Sequence, residues 1–260
     1  MHFVKYQATG NDFIILDNRS GIFNKSDHQF ISSLCHRRFG IGADGLMLLE
    51  SMPGFDFRMV YFNADGHEGS MCGNGGRCIT AFAAGLSNQK SSFQFSAFDG
   101  PHQAEVLSEN SGNFLIRLQM SDVKLPQQAG NDWVLNTGSP HFIRFVEDVN
   151  SVDVRVKGSQ IRNSETYLKD GINVNFVQVL NKEEIFVRTY ERGVEDETLS
   201  CGTGVTAAAI TSYAAGLTNQ SVIQVKTPGG ALKVSFAPKA GSFSNVMLEG
   251  SAIRVFEGEI

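Results

Sequence analysis

Two cysteines stand in closely similar surroundings and are the residues best suited to chemistry. Cys72 begins the segment CGNGGRC and Cys201 begins CGTGVTA, so Gly-x-Gly and a run of small residues typical of a helix follow each thiol. The start of a helix carries unpaired backbone N–H groups and a partial positive charge, which favour a thiolate and attract anions. Glycine also lets a ligand approach this backbone closely. The pattern predicts two reactive thiols, each beside an anion-binding helix terminus.

The chain also repeats itself. Segments 71–89 and 200–220 both end in Ala-Ala-Gly-Leu-(Ser/Thr)-Asn-Gln, and Cys72 and Cys201 are 129 positions apart in a chain of 260 residues. An internal duplication predicts two like domains that face each other and bring two equivalent thiols to one cleft. This arrangement suits inversion of a stereocentre, because one group must remove a proton from one face of a carbon while the other delivers a proton to the opposite face.

The remaining cysteines and the histidines give weaker signals. Cys35 falls on the apolar stripe of a predicted helix and Cys78 lies inside the small-residue helix, so both are interpreted as core residues. No Cys-x-x-Cys or His-Glu-x-x-His pair occurs, and no complete dinucleotide or P-loop motif, so we expect neither a metal site nor a nucleotide cofactor. His67 and His141 are interpreted as polar loop residues, with a place near the site as the alternative for either.

Composition and charge limit the class of partner. Apolar residues make up 42% and charged residues 19% of the chain, which is typical of a globular protein. The net charge of −5 and the lack of a long basic run argue against nucleic acid or an anionic membrane and favour a small-molecule partner. No apolar run approaches the ~18 residues of a membrane span, and no signal peptide is evident at the N-terminus. We therefore expect a soluble, cytoplasmic protein with reduced thiols.

Short runs rich in Val, Ile and Phe alternate with Gly, Asn and Asp, and they predict a chain with more strand than helix. The expected strands are 13–16, 57–62, 113–118, 142–146, 174–180, 185–190, 222–225, 232–236 and 246–248. One helix is expected to begin at a capping box formed by Ser26 to Gln29, with Arg38 still on its inner stripe. The other helices are expected at 153–162 and, after the two cysteine motifs, at roughly 74–86 and 203–216.

Five motifs together resemble the diaminopimelate epimerase family: GNDF (10–13), FNADG (62–66), MCGNGGRC (71–78), YERG (190–193) and SCGTG (200–204). The resemblance spans nearly the whole chain. It implies cofactor-independent interconversion of LL- and meso-diaminopimelate, without pyridoxal phosphate or metal, on the route to lysine and peptidoglycan precursors. It further implies that Cys72 and Cys201 act as thiolate base and thiol acid. Which cysteine is the resting thiolate stays open.

The resemblance also implies a set of substrate-binding residues. Amides around Gly73-Asn74 and Gly202-Thr203 match those that hold the reacting carboxylate, and Arg192 suits bidentate contact with a distal carboxylate. The other matches are Asn11, Asn63, Asn173 and Glu191, and Ser139 stands at a further position of the substrate-binding set. The chain departs from the family pattern at Ser139, where many members have Asn, and at Gly45, where some have Gln.

The implied fold is of the α/β (α+β) type, with two pseudo-symmetric domains, each a curved and mostly antiparallel sheet wrapped around a central helix. We expect one domain at 1–120, joined by the final strand at about 250–260, and the other at 121–249. A homodimer is expected.

Alternatives of the same fold are a proline or hydroxyproline racemase and a phenazine-biosynthesis-like isomerase. The racemases usually have Ser-Pro before the second cysteine motif, where this chain has Leu199-Ser200. The isomerase lacks the thiol pair. A non-catalytic ligand-binding module is a further alternative, which proton exchange into a substrate α-carbon would exclude.

Overall fold

The computed structural model describes residues 1–69, 71–87 and 90–260. It divides into two compact units, Met1–Leu118 with Gly250–Ile260, and Gln119–Glu249. The helices are α1 (His28–Cys35), α2 (Gly73–Leu86), α3 (Val154–Arg162) and α4 (Gly202–Ala214). Asn88 and Gln89, the end of the first copy of the repeat, lie outside the described residues.

Strands dominate both units. The strands of the first unit are β1 (His2–Ala8), β2 (Asn11–Asp17), β3 (Gly45–Glu50), β4 (Phe57–Asn63), β5 (Ser92–Ala97), β6 (Gly100–Asn110) and β7 (Asn113–Gln119). The second unit begins with β8 (Val123–Lys124), β9 (Gln127–Ala129), β10 (Asp132–Asn136), β11 (Pro140–Phe145) and β12 (Asn173–Val179). It continues with β13 (Glu184–Glu191), β14 (Asp196–Thr198), β15 (Val222–Thr227) and β16 (Gly230–Lys239), and β17 (Ser242–Glu259) runs from the second unit into the first.

The strands of the first unit close into a ring. Strands β1 to β7 pair in chain order, β7 pairs with β17, and β17 pairs with β1. Among these pairings β2–β3 and β4–β5 are parallel, and α1 and α2 make those two connections. Helix α2 is buried along residues 73–83 and contacts β1, β2, β3 and β6. Closing the ring removes exposed sheet edges and surrounds α2 with side chains.

Small residues allow α2 to lie inside the ring. A Cβ atom on Gly75 would lie 2.5 Å from Cε of Met47, and one on Gly76 would lie 2.6 Å from Cε of Met71. Larger side chains at these positions would have to displace the methionines. The Ala- and Gly-rich sequence therefore follows from the narrow space around the helix.

The second unit repeats the pairing order of the first. Strands β10–β11, β12–β13 and β15–β16 are antiparallel, whereas β11–β12 and β13–β15 are parallel and are connected through α3 and α4. Helix α4 is buried over most of its length and contacts strands on several sides. The predicted fold class, an α+β protein whose halves each wrap a mostly antiparallel sheet around a central helix, is confirmed.

Helix α1 differs from the sequence prediction at both ends. Asp27, not Ser26, is the N-cap, and its side chain accepts a backbone hydrogen bond of the first turn at 2.9 Å. The helix ends at Cys35, so Arg38 lies outside it. His36 adopts an extended conformation, and its Nδ1 accepts from the backbone N–H of Arg38 at 3.1 Å. This local turn replaces the last helical turn that the apolar stripe had suggested.

Helix α3 matches its predicted span and packs closely on the sheet. Its N-cap is Asp153, and a Cβ atom on Gly158 would lie 2.4 Å from Cβ of Tyr190 in β13. Glycine is therefore needed for this contact. Within the described part of the chain, no helix has the length and apolar character required to cross a membrane.

Candidate functional site

Cys72 and Cys201 occupy corresponding positions at the starts of the two central helices. Cys72 is the N-cap of α2, with φ −117° and ψ 123°, and Cys201 is the N-cap of α4, with φ −122° and ψ 112°. Cys201 is buried and Cys72 is half-buried. The first backbone N–H groups of a helix have no partner within the helix. Each thiol therefore adjoins a set of donors directed away from the helix, as the two motifs predicted.

Asn11 is held against Cys72 in a fixed orientation. It begins β2 after the two-residue turn Thr9-Gly10, whose φ angles of 47° and 87° are both positive, as this kind of hairpin requires. Nδ2 of Asn11 donates to Oδ2 of Asp44 at 2.7 Å. Oδ1 of Asn11 accepts from Sγ of Cys72 at 3.6 Å and from Nδ2 of Asn74 at 3.3 Å. Because a carboxylate only accepts, Asp44 turns the amide oxygen of Asn11 toward the thiol.

An ion network anchors this hairpin. Asp12 lies 2.8 Å from Nζ of Lys5 and 2.8 Å from Nη2 of Arg37, and Arg37 also contacts Asp44. Burial alone would raise the pKa of Asp12, but hydrogen bonds from Arg37 and Lys5 lower it to about 2. Asp12 is therefore ionised at neutral pH, and the network holds the strand end that carries the Asn11 amide.

Arg77 places a cation behind the first turn of α2. It is fully buried, and its Nη2 donates to Oδ1 of Asn74 at 2.9 Å. Its other acceptors are also uncharged: Oγ1 of Thr9 and the carbonyl oxygens of Gly73 and Ser251. Burial lowers the pKa of Arg77 to about 10, while Cys78 and Cys72 act in the opposite direction. The side chain thus stays charged at neutral pH, and nothing in the sequence around Arg77 predicts this position.

His141 lies beside the second thiol, contrary to its interpretation as a loop residue. It belongs to β11 and is fully buried. Its Nε2 lies 2.9 Å from Oγ1 of Thr203, and that oxygen lies 3.5 Å from Sγ of Cys201. Burial lowers the pKa of His141 to about 3, and the positive charge of Arg192 acts in the same direction. The imidazole is therefore neutral. The only sequence signal that placed His141 near the site was its position two residues after Ser139.

Three predicted substrate-binding residues form one cluster in the second unit. Oδ1 of Asn173 accepts from the backbone N–H of Arg192 at 2.8 Å, and its Nδ2 donates to Oγ of Ser139 at 3.3 Å. The guanidinium of Arg192 donates to the Asp170 carbonyl at 2.9 Å and to Oγ of Ser139 at 3.5 Å. Ser139 thus accepts from both neighbours.

Two further predicted residues lie at strand ends. Asn63 ends β4 and is exposed, while Glu191 ends β13 and accepts from the hydroxyl of Thr198 at 3.0 Å. Gly45 pairs with Asn63 across the sheet. A Cβ atom on Gly45 would lie 2.5 Å from Cε2 of Tyr61 and equally close to a backbone carbonyl oxygen. The Tyr61 ring therefore occupies the space that a longer residue at position 45 would need.

The remaining cysteines lie in the core, and His67 lies in a loop where its backbone carbonyl accepts from the N–H of Asn63 at 2.9 Å. Cys35 and Cys78 are buried, which confirms their interpretation as core residues. Burial raises the pKa of Cys35 to about 11 and that of Cys78 further still. His67 is exposed in a loop and stacks on His28 at 4.7 Å. Among residues 1–69, 71–87 and 90–260, no group of three His, Cys, Asp or Glu side chains is arranged to hold a metal ion.

The sequence comparisons agree on one family. The family model for diaminopimelate epimerase matches residues 3–125 and 133–255. A diaminopimelate epimerase from Flavobacterium psychrophilum is 49% identical over 260 residues and covers 100% of both chains. One from Chlorobaculum tepidum is 44% identical over 261 residues, covering 97% of this chain and 98% of the relative. A phenazine biosynthesis protein of the PhzF family from Bacillus anthracis matches in structure with a TM-score of 0.74 and 16% identity, covering 100% of this chain and 98% of that one. This last likeness concerns the fold alone.

Proposed function

This chain belongs to the diaminopimelate epimerase family, and from that membership we propose that it interconverts LL- and meso-diaminopimelate by inverting one α-carbon. The observation that carries the proposal is the pair of thiols at the starts of the two central helices. Cys72 and Cys201 are each an N-cap followed directly by a glycine, in units that share one order of strand pairing. A duplicated acid–base group suits a reaction that must run in both directions.

In the proposed reaction one thiolate removes the α-proton and the other thiol delivers a proton to the opposite face of the carbon. The C–H electron pair passes to the α-carboxylate as an enolate-like dianion and returns to carbon when the new C–H bond forms. The first cysteine ends as a thiol and the second as a thiolate. This is the starting state for the reverse direction, so neither pyridoxal phosphate nor a metal is required by the chemistry proposed.

We assign the reacting carboxylate to the first-turn amides at Gly73, Asn74, Gly202 and Thr203. Each helix terminus contributes about 0.3 to 1 kcal/mol to binding an anion at an exposed site, and up to about 2 kcal/mol where the site is partly buried. The contribution is larger in a dry, preorganised site, because water no longer screens the donors. Charge that develops on the carboxylate as the α-proton leaves is therefore stabilised more than the ground state is, which is the condition for catalysis.

The remaining polar residues are assigned to the rest of the substrate. Arg192 has a planar guanidinium suited to the distal carboxylate, and its backbone is held by Asn173. Ser139 positions the same guanidinium. Asn11, Asn63 and Glu191 complete the set proposed to contact diaminopimelate. We further propose that the enzyme serves lysine and peptidoglycan precursor synthesis as a cytoplasmic homodimer.

The proposal is tested by incubating purified protein with LL-diaminopimelate in deuterated water. The protein is first treated with a chelator and freed of pyridoxal phosphate, and the products are separated by chiral chromatography. We expect meso-diaminopimelate with deuterium at the inverted α-carbon. L-Proline serves as the comparison substrate, because its racemisation would favour the racemase alternative. Absence of α-deuterium, or dependence on added metal or pyridoxal phosphate, would contradict the proposed reaction.

A further inference from the structure

We propose that the first unit carries a second binding site, for a small ammonium compound with an aromatic body, at the end of its ring opposite Cys72. The site is a cavity of about 510 Å³ at the C-terminal end of α2, a volume within the usual range for small-molecule sites. Gly85, in the last turn of α2, lines it and lies 13 residues after Cys72, or about 20 Å along the helix. The site is therefore separate from the one assigned to diaminopimelate.

Apolar side chains form the walls of the cavity. They are Val4, Leu16, Phe82, Leu86 and Phe114. The rings of Phe82 and Phe114 lie against the ring of Tyr6, with centroids 6.3 and 6.4 Å away. Aromatic pairs prefer centroid separations of about 4.5 to 7 Å in tilted or edge-to-face arrangements, so a further ring can join this group. We therefore expect the body of the ligand to be aromatic.

The hydroxyl of Tyr6 is a polar group that lacks a partner in this apolar surround. Tyr6 is 3% exposed and lines the cavity, and its hydroxyl makes no hydrogen bond within the part of the chain that the structure describes. Burial raises the pKa of Tyr6 to about 12, so the hydroxyl keeps its proton at neutral pH. Buried polar groups nearly always have a partner, because leaving the hydrogen bond unmade is unfavourable. A polar atom on the ligand would supply this partner.

The carboxylates around the cavity favour a cation. Asp17 and Glu257 each have an arginine partner, Arg19 and Arg254. Glu109 also lines the cavity, and its carboxylate accepts from the backbone N–H of Gly112 at 3.0 Å. Among residues 1–69, 71–87 and 90–260, it forms no ion pair. Glu109 is therefore available to a positively charged group on the ligand.

The end of α2 adds to this preference. The last carbonyl groups of a helix have no partner within the helix and carry a partial negative charge. The last turn of α2 lines the cavity through Gly85 and Leu86. Two cations also line it, but the guanidinium of Arg254 is bonded to Glu257, and the N-terminal ammonium lies 3.6 Å from Glu259. An ammonium group is thus favoured over a carboxylate.

Tyramine is the probe for this site, because it has an aromatic ring, a hydroxyl group for Tyr6 and an ammonium group for Glu109. 4-Hydroxyphenylacetate has the same body with a carboxylate, and phenethylamine lacks the hydroxyl. Each compound is titrated into the full chain labelled with carbon-13 in its tyrosine rings, and the Tyr6 signal is identified by its absence from Tyr6→Phe. We expect tyramine to shift this signal and to bind about fivefold to tenfold more tightly than 4-hydroxyphenylacetate.

Two variants separate the polar contacts, with binding then measured by titration calorimetry. Glu109→Gln should weaken tyramine binding by about threefold and reduce the preference over 4-hydroxyphenylacetate. Tyr6→Phe should weaken tyramine by about threefold to tenfold, because the hydrogen bond is lost. Phenethylamine, which has no hydroxyl to pair with Tyr6, should bind Tyr6→Phe as it binds the wild type.

A third variant fills the cavity. A Cβ atom on Gly85 would have the Tyr6 hydroxyl, at 4.0 Å, as its nearest neighbour outside the helix. The side chain of Gly85→Leu should therefore occupy the space of the ligand and abolish tyramine binding. Gly85→Ala is the matched control and should bind like the wild type. Thermal unfolding of both variants shows that each is folded.

The proposal is wrong if tyramine at about 10 mM leaves the Tyr6 signal unshifted, a concentration that detects even weak binding. It is also wrong if 4-hydroxyphenylacetate binds as tightly as tyramine, or if folded Gly85→Leu still binds. A second copy of the chain covering the cavity would exclude tyramine, and Gly85→Leu would then lower the mass seen in sedimentation. That result would overturn the proposal as well.

LL-Diaminopimelate should not compete with tyramine, because the two sites lie at opposite ends of α2. Competition would place tyramine at the thiols and contradict the proposal. None of these measurements needs turnover. Failure of this site is therefore seen separately from failure of the proposed epimerisation, which is judged by deuterium incorporation alone.

Discussion

Replacing Arg77 with Met is expected to change stability little and activity greatly. Burial lowers the pKa of Arg77 from 12.5 to about 10, which corresponds to a cost of about 3 kcal/mol for keeping the charge in the folded protein. The variant removes that cost but loses hydrogen bonds to four uncharged acceptors, of which two are long at 3.4 Å. A hydrogen bond from a charged donor contributes about 1.5 kcal/mol or more at good geometry, and less at 3.4 Å. The two effects nearly cancel, so we expect the free energy of unfolding to change by no more than about 2 kcal/mol.

The effect on activity comes through Asn74. Arg77 holds the amide oxygen of Asn74, and the amide nitrogen of Asn74 donates to the oxygen of Asn11 that faces Cys72. Without Arg77, the side-chain amide of Asn74 loses the donor that fixes its orientation. The positive charge behind the first turn of α2 is lost as well. A misplaced catalytic group typically reduces the rate by up to about 100-fold, and we expect kcat/KM for LL-diaminopimelate to fall by about 10- to 100-fold.

The assay compares kcat/KM and urea-induced unfolding for wild type, Arg77→Met and Arg77→Lys. Lysine keeps a charge but lacks the planar fork, so Arg77→Lys should keep the desolvation cost, lose several hydrogen bonds and be the less stable variant. Wild-type activity in Arg77→Met, together with a loss of stability well above about 3 kcal/mol, would refute the reasoning. Arg77 would then be a structural residue only.

Three further outcomes are expected. Arg192→Lys should lower kcat/KM although the charge is kept, because a point charge does not replace a planar fork on a carboxylate; an unchanged value would remove Arg192 from the distal carboxylate. Gly45→Ala should destabilise by about 1 to 3 kcal/mol in thermal unfolding because of the contact with Tyr61, whereas Gly85→Ala in α2, which has open space, should be neutral or stabilising. Asp12, with its pKa lowered to about 2, stabilises the fold above its unfolded pKa of about 3.8, and this contribution is lost as pH falls between these values. In Asp12→Asn the free energy of unfolding should therefore fall less steeply as the pH is lowered from 4 to 2. An unchanged dependence on pH in that range would contradict this role of Asp12.

Much of the site is encoded locally and was predicted from the sequence. The positions of Cys72 and Cys201 at helix starts follow from a cysteine, two glycines and a run of small residues, all within one short segment. The family resemblance drawn from five such motifs is confirmed by the match over both halves of the chain. The core positions of Cys35 and Cys78 likewise follow from the periodicity of their own helices.

The residues that the sequence did not reveal depend on contacts between distant segments. His141 meets Thr203 across 62 positions, and Arg77 meets the Ser251 carbonyl across 174 positions. Neither the burial of an isolated polar residue nor its hydrogen-bond partner has a local signature. The predicted end of α1 was also wrong, because His36 leaves the helical conformation and its ring accepts from the backbone N–H of Arg38.

Single alanine variants of the four cysteines decide whether two thiols share the inversion. Conversion of LL- to meso-diaminopimelate is followed by chiral chromatography in Cys72→Ala and Cys201→Ala, with Cys35→Ala and Cys78→Ala as matched controls. We expect both of the first pair to lose inversion, because each lacks the proton transfer at one face of the carbon. The controls should keep the reaction and lose only stability, by about 1 to 3 kcal/mol. Retained inversion in Cys201→Ala or Cys72→Ala would contradict the two-thiol account.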